Sequence, residues 1–180
     1  MDLCIDGYSL RELEPRDAVA IARHADDPDI AAQLRDRFPH PYNVKDAESF
    51  IAMVAPGQGE LAWAVDHKGE PVGVIGAVPG QDVYRDSWEI GYWLGRRHWG
   101  RGVATAAVRV LSLHLFRTRG VVRLWAGVFE SNPASARVLE KAGYRREGVH
   151  RSHVRKHGRL MDEWVYARLV TDPQEKDPAG

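Results

Sequence analysis

The sequence has little of what cross-links a protein, inserts it into a bilayer or draws it to a polyanion. Cys4 is the only cysteine, which excludes an internal disulfide framework and a cysteine-rich metal site and suits a reducing compartment. Basic and acidic side chains both number 25 and the net charge is zero, so no bulk attraction to nucleic acid or to an anionic membrane is expected. No apolar run approaches the length of a membrane span, and the first residues lack the basic and apolar regions of a signal peptide. We therefore expect a cytoplasmic protein with no nucleic-acid partner and no membrane partner.

The length and composition are those of one globular domain. The chain has 180 residues, of which 44% are hydrophobic and 28% are charged, enough for one proper core and too few for two comfortable domains. The last residues, from Thr171 to Gly180, are polar and contain proline, a composition typical of disorder. We expect a domain over residues 1–170 and a disordered tail over residues 171–180.

The spacing of apolar residues predicts strands and helices in a mixed order. Strands are predicted over residues 8–13, 61–66, 71–78, 87–94, 121–129, 144–154 and 161–169. Helices are predicted over residues 15–24, 43–54, 103–119 and 132–143. The long central helix crosses over between two adjacent strands, so we expect a single-domain α/β (α+β) fold with a mixed, mostly antiparallel sheet flanked by helices. We expect the irregular residues 26–42 and the loop over residues 81–86 to form much of a substrate pocket.

A glycine-bearing basic turn leads directly into the long helix. Gly100 and Gly102 lack side chains, so an anion can approach the backbone closely there. The first amides of a helix point outward together, with the positive end of the peptide dipole behind them. Three nearby arginines add positive charge, namely Arg96, Arg97 and Arg101. A pair of glycines at a helix start is a weak signal by itself, and an ordinary turn between strand and helix is the alternative.

Three segments in order resemble the GNAT superfamily of acyl-CoA-dependent N-acyltransferases, in particular its RimJ/RimL-like branch. They are Trp88–Leu94, His98–Thr105 and Asn132–Tyr144, and the resemblance spans roughly residues 8–170. It implies an N-acetyltransferase that uses acetyl-CoA as a co-substrate. It further implies that the acceptor is a primary amine, either a small-molecule amine or a protein N-terminus.

The resemblance also implies where the coenzyme binds. The turn would hold the pyrophosphate mainly on its backbone amides, although Trp99 stands where relatives have glutamine or arginine. The residues of this cradle are Trp99, Gly100, Arg101, Gly102, Val103, Ala104 and Thr105. The pantetheine arm would lie beside the main chain of Trp93 and Leu94, where two strands splay apart. The side-chain amide of Asn132 would bond the same arm, with a plain helix cap as the alternative.

Two residues are candidates for acid and base chemistry. The attacking amine must lose a proton, and Glu89, in the strand that leads to the turn, is the candidate base; a water relay or an ordinary ion-paired carboxylate is the alternative. Many relatives have a tyrosine where Leu139 stands, which protonates the departing thiolate. Ser135 lies one helical turn earlier on the same face and is the candidate donor to the coenzyme sulfur, unless it is an ordinary first-turn serine.

Leu139 leaves a second function open, a catalytically silent module that binds acyl-CoA. A third is an acyltransferase that uses a longer acyl-CoA such as succinyl-CoA, because the motifs bind the coenzyme rather than the acyl group. Cys4 has no neighbouring histidine in the sequence, so we expect direct transfer in a ternary complex rather than an acyl-enzyme.

The sequence gives weaker indications about metals and assembly. His150, His153 and His157 lie on the predicted last hairpin, but their spacing places His150 on the opposite face from the other two. We therefore expect no metal site. A homodimer that pairs edge strands or terminal hairpins remains an open alternative.

Overall fold

The computed structural model describes residues 1–55 and 59–173, so residues 174–180 of the predicted tail lie outside the described residues. Its strands are β1 (Tyr8–Glu12), β2 (Leu61–His67), β3 (Glu70–Val78), β4 (Ser87–Leu94), β5 (Arg123–Phe129), β6 (Arg145–Lys156) and β7 (Arg159–Leu169). Its α-helices are α1 (Ala18–Ala25), α2 (Pro28–Ala31), α3 (Val44–Met53), α4 (Val103–Arg119) and α5 (Pro133–Lys141). The ends of the strands and helices predicted from the sequence agree with the structure to within two residues, except at the start of α1. There Pro15–Asp17 forms a 3₁₀ turn before the helix.

The strands form one sheet in the order β1-β2-β3-β4-β5-β7-β6. Neighbours are antiparallel except for β4 and β5, which are parallel and joined by the crossover helix α4. These two strands pair only from Ser87 to Glu89 on β4 and from Arg123 to Trp125 on β5. Beyond that point β4 stays paired with β3 and β5 stays paired with β7, so a gap opens inside the sheet. The predicted mixed, mostly antiparallel sheet with flanking helices is confirmed.

Helices cover both faces of the sheet. Side chains alternate between faces along a strand, and the neighbours Trp93 and Leu94 at the end of β4 follow this rule. Leu94 is buried with Leu111 of α4 and Leu139 of α5. Trp93 packs instead against a second cluster that includes Ile21 of α1. One face therefore carries α4 and α5, and the other carries α1 and α3.

The helix ends follow the signals predicted from the sequence. Asn132 caps α5, with its side-chain oxygen accepting from the Ser135 amide at 3.1 Å, and Pro133 follows at the first helical position. Asn43 caps α3 within a reciprocal capping box. The long helix α4 begins after Gly102 and ends at Gly120, and both glycines have left-handed φ angles. Of the residues described, none belongs to a helix long and apolar enough to cross a membrane.

The last hairpin departs from regular alternation. His150 of β6 pairs with Glu163 of β7, and Val154 pairs with Met161, so β6 has two more residues than β7 between these pairs. Such a bulge breaks the period-two alternation of side chains. The rings of His150 and His153 consequently lie together, with centroids 4.9 Å apart. The prediction that these two histidines face opposite sides was wrong.

Candidate active site

A cavity of about 1180 Å³ occupies the gap between β4 and β5. Its walls include Ile90–Leu94 of β4 and Ala126–Phe129 of β5, the segments over which the two strands no longer pair. Phe50 of α3 lines it from one face of the sheet, and Val138 of α5 lines it from the other. Two molecules can therefore reach the same point from opposite faces of the sheet.

The turn before α4 lies at the edge of this cavity. Gly100 and Gly102 have φ angles of 72° and 78°, which only glycine adopts without strain. No atom lies within 4 Å of the point where a Cβ would stand on Gly100, so the backbone is open to an approaching group. Of the predicted cradle, Trp99, Gly100, Gly102, Val103, Ala104 and Thr105 line the cavity, and Arg101 is exposed next to them in the chain. This arrangement can hold an anion on main-chain amides.

The side chains of Trp99 and Arg96 hold the turn before α4 in place. The indole nitrogen of Trp99 donates to the carbonyl oxygen of Leu94 at 2.6 Å, which ties the turn to the end of β4. The guanidinium of Arg96 lies 5.5 Å from the centre of the Trp99 ring and pairs with Asp27 at 3.0 Å. The charge of Arg96 is therefore shared with an aspartate instead of being wholly available to an anion.

The register of β4 decides which main-chain groups face the gap. The Gly95 amide donates to the Val72 carbonyl at 2.8 Å, and hydrogen-bonded positions alternate along an antiparallel pair. The main-chain groups of Trp93 therefore point towards β3, while those of Tyr92 and Leu94 point into the gap. The carbonyl of Leu94 already accepts from Trp99, which leaves its amide free to meet a ligand.

Ser135 lies beside a tyrosine that the sequence analysis did not select. The Tyr92 hydroxyl is 2.8 Å from the Ser135 hydroxyl and donates to the Ser135 carbonyl at 3.2 Å. Burial raises the pKa of Tyr92 well above its usual range, so the phenol stays protonated and can donate. Leu139 is fully buried in the core. A phenol thus reaches this part of the site from a strand, although position 139 of α5 carries none.

Glu89 lies on the opposite face of the sheet from Ser135. Glu89 and Trp93 are four residues apart on β4, so their side chains point to the same face of the sheet. This is the face that carries α1 and α3. The Glu89 carboxylate lines the cavity and forms an ion pair with Arg35. The expected alternative of an ion-paired strand carboxylate is therefore present, at a place where the carboxylate also meets the cavity.

A second carboxylate on that face escaped the sequence analysis. Trp125 pairs with Glu89 across the parallel strands, so Gly127, two residues further along β5, faces the same side. The side chain of Glu163 lies over Gly127, with its Oε1 2.4 Å from the point where a Cβ would stand. Glu163 is 8% exposed and lines the cavity. A glycine inside a strand is the one sequence signal that could have indicated this close approach.

The irregular segment after α2 closes the same side of the cavity. Arg35, Arg37 and Phe38 line it, and Arg37 pairs with Glu60 at 3.5 Å. The buried Lys156 of β6 holds this segment, donating to the Leu34 carbonyl at 2.7 Å and to Asp36 at 2.8 Å. The predicted pocket over residues 26–42 is consistent with these walls.

The loop over residues 81–86 does not join them. Gln81 and Tyr84 line a separate, smaller cavity with Arg123 and Trp125. The prediction that this loop forms part of the main pocket was wrong, because the loop lies at the start of β4, where β4 and β5 are still paired, while the main cavity lies beyond that pairing.

Comparison with known proteins finds that the chain is similar to acetyltransferases. Residues 9–145 match the family model described as the acetyltransferase (GNAT) domain. The chain is 29% identical over 173 residues to an uncharacterized N-acetyltransferase, p20, of Bacillus licheniformis, which covers 93% of this chain and 95% of that protein. The solved structure of Mycobacterium smegmatis RimJ in complex with CoA-disulfide is similar at a TM-score of 0.81 and 26% identity, over 91% of this chain and 82% of that one. RimL, the ribosomal L7/L12 alpha-N-protein acetyltransferase, in complex with coenzyme A, is similar at a TM-score of 0.82 and 18% identity, over 92% and 95%.

Proposed function

Because the chain belongs to the GNAT family of acetyl-CoA-dependent N-acetyltransferases, we propose that it transfers the acetyl group directly to a primary amine, with the two substrates meeting in the gap between β4 and β5. The observation that carries the proposal is the position of the cavity. The glycine turn before α4 lies at one edge of the cavity, and the carboxylates Glu89 and Glu163 lie on the face opposite Ser135. Donor and acceptor can therefore bind together, as a ternary complex requires.

The donor would bind along the turn and the gap. Its pyrophosphate would lie on the amides of the cradle, Trp99, Gly100, Arg101, Gly102, Val103, Ala104 and Thr105. Its pantetheine arm would run into the gap beside Trp93 and Leu94. The strand register favours the main-chain groups of Tyr92 over those of Trp93 as its partners, and the amide of Leu94 remains for the thioester. The amide nitrogen of Asn132 is the group that would donate to the arm, while its oxygen caps α5.

The chemistry needs three things from the chain. The amine nitrogen attacks the thioester carbonyl, and a main-chain amide in the gap, that of Leu94, would stabilise the oxyanion that forms. When the carbon–sulfur bond breaks, the thiolate would take a proton through the Ser135 and Tyr92 hydroxyls, which touch each other. The amine proton would pass to Glu89 or to a water. Transfer to Glu89 requires Arg35 to release one carboxylate oxygen, because the two are paired.

The acceptor would be a cationic amine before it loses its proton. Carboxylates of Glu60, Glu89 and Glu163 line the cavity. The first two are ion-paired with Arg37 and Arg35, so Glu163 would be the main attraction for an ammonium group. RimL acts on a protein N-terminus, as its name states, and a short N-terminal peptide or a small amine fits the same charge pattern. The acceptor would belong to one of these two classes.

Steady-state assays with acetyl-CoA and a panel of short peptides and small amines test this proposal. Ser135→Ala and Glu89→Gln should lower kcat/KM by about 100-fold while acetyl-CoA binding, measured by calorimetry, is unchanged. Glu48→Gln, on the exposed face of α3, is the matched carboxylate control and should have full activity. Binding of acetyl-CoA without transfer to any amine would favour a silent acyl-CoA-binding module. Faster transfer from succinyl-CoA would favour the longer acyl donor.

Two surface features bear on the proposed assembly and location. The strand β6 is an edge strand of the sheet, and we propose that a homodimer, if formed, pairs this edge. Cys4 is a free, exposed thiol, which favours a cytoplasmic, reducing setting. The mass in solution, measured by light scattering, would show one or two copies directly.

A further inference from the structure

Two histidines lie beside Glu163, a carboxylate that lines the cavity. The Nδ1 atom of His150 lies 3.4 Å from Oε2 of Glu163, and the Nε2 atom of His153 lies 3.8 Å from the same oxygen. All three candidate ligand atoms lie within 4.8 Å of one another. We propose that His150, His153 and Glu163 form a binding site for a divalent transition-metal ion of the zinc, cobalt and nickel class.

The bulge in β6 builds this cluster. His150 is directly paired with Glu163, and regular alternation would turn His153 to the other face. Ser152 instead adopts a left-handed φ of 49°, and its amide donates to Asp162 of β7 at 2.8 Å. These features hold the irregular turn of the strand in place. A left-handed residue other than glycine is uncommon in a strand and is maintained only where its surroundings fix it.

Gly127 fixes the third ligand. A Cβ on residue 127 would lie 2.4 Å from Oε1 and 2.7 Å from Cδ of Glu163, so the carboxylate occupies the space that a side chain would fill. Oε1 therefore rests against β5, while Oε2 is the oxygen nearest both histidines. The glycine directs one carboxylate oxygen towards the imidazoles.

The distances fit ligands around an ion better than hydrogen bonds. Contacts of 3.4 Å and 3.8 Å from nitrogen to oxygen are long for a hydrogen bond. Two ligand atoms at about 2.1 Å from one ion, at a tetrahedral angle, lie about 3.4 Å apart. The three ligand atoms lie within 4.8 Å of one another, so the exposed histidine rings must move closer together by up to about 1.4 Å to complete that geometry.

The donor set selects the kind of ion. Two neutral imidazoles with one carboxylate suit zinc and its neighbours, whereas calcium and magnesium prefer oxygen ligands alone. The side chains of His150 and His153 are each more than half exposed, so an ion can enter from solvent and keep open positions for water. Glu163 also lines the cavity. A bound ion would therefore withdraw a carboxylate from the acceptor side and add positive charge there.

The consequence for catalysis rests on the proposed function, but the site itself does not. An ion at this site should repel an ammonium acceptor, and the pyrophosphate turn lies at a different edge of the cavity. Zinc should therefore raise the KM for the amine and leave the KM for acetyl-CoA unchanged.

A Co²⁺ titration of the metal-free, untagged protein tests the site without measuring activity. We expect one Co²⁺ to bind per chain and to show the visible absorption spectrum of a low-symmetry site with nitrogen ligands. Added Zn²⁺ should displace the Co²⁺ and remove this spectrum. His150→Ala and His153→Ala should each weaken binding by more than about 10- to 100-fold, the range seen for mere outer-shell partners. Both side chains are largely exposed, and circular dichroism will verify that the variants fold. His157→Asn, at the exposed tip of the same hairpin, is the matched control and should bind as the parent does.

Several results would overturn the inference. A parent protein that leaves the spectrum of aqueous Co²⁺ unchanged would refute the site. So would a spectrum that persists when His150 and His153 are replaced together, because another of the histidines would then be responsible. If the site binds Zn²⁺ and the KM for the amine stays the same at saturation, the inhibitory role is refuted while acetyl transfer itself stands.

Discussion

The two ends of α4 provide a matched test of the proposal that the turn before this helix binds an anion. Gly102 precedes the helix with φ 78°, and Gly120 follows it with φ 65°. Both residues are exposed, so a glutamate at either place has a similar left-handed backbone cost of about 1–2 kcal/mol. Only residue 102 lines the cavity. We therefore compare Gly102→Glu with Gly120→Glu.

The expected difference follows from charge alone. A carboxylate about 5 Å from a phosphate repels it by about 0.8 kcal/mol per unit charge in water, and by about 3 kcal/mol at an effective dielectric constant of 20. Acetyl-CoA should thus bind Gly102→Glu about 4- to 160-fold more weakly than Gly120→Glu. The free energy of unfolding should nevertheless be higher for Gly102→Glu than for Gly120→Glu. A carboxylate is favourable at a helix N-terminus and unfavourable at a C-terminus, each by about 0.3–1 kcal/mol.

Calorimetric titration with acetyl-CoA and urea denaturation measure the two quantities on the same samples. The Gly102 variant should be the more stable protein and the weaker binder, and added salt should narrow the difference in affinity. Equal affinities, or an affinity that falls together with stability, would refute the reasoning. In that case the pyrophosphate would bind elsewhere.

Three further predictions concern the surroundings of the site. Burial, followed by the neighbouring histidines and Arg101, lowers the pKa of His98 below 6.5, so the unfolded chain takes up the proton first. The free energy of unfolding should therefore fall as the pH drops from about 7 to about 5, with a shallower fall in His98→Asn when denaturation is followed across that range. Tyr92→Phe and Ser135→Ala should each lower kcat about 10- to 100-fold, and a double variant no worse than either single one would show that the hydroxyls act as a unit; fully additive losses would contradict this. Lys156→Met frees the segment it holds, so the KM for the amine should rise about 3- to 10-fold with the KM for acetyl-CoA unchanged; equal rises in both would count against a role confined to the acceptor.

The features that the sequence predicted correctly are those encoded by near neighbours. The cap at Asn132, the end of α4 at Gly120 and the glycine turn at residues 100–102 each depend on a few adjacent residues. The alternation of apolar residues placed the strands for the same reason. Helix caps, turns and strands of this kind can be predicted from the sequence alone, because each depends on residues that are close together in the chain.

The features that the sequence did not predict join distant parts of the chain. The contact between Tyr92 and Ser135 spans 43 residues, and position 92 looks like any aromatic residue of a strand. The approach of Glu163 to Gly127 depends on the register of β5 with β7. The contact between the rings of His150 and His153 depends on a bulge in β6. The sequence has no strong local signal for this bulge, since Ser152 rather than glycine has the left-handed backbone. Register and bulges arise from pairing across the sheet, and one strand alone does not show them.

The short parallel pairing of β4 and β5 has a consequence for how this enzyme can be altered. Because the strands part after Glu89, the proposed donor and acceptor sides lie on opposite faces of the sheet. Phe38, Phe50 and Met53 line the cavity on the proposed acceptor side and lie far along the chain from the cradle amides. A library that varies only the residues on this face of the sheet should therefore change the preference for the acceptor and leave the affinity for the coenzyme unchanged.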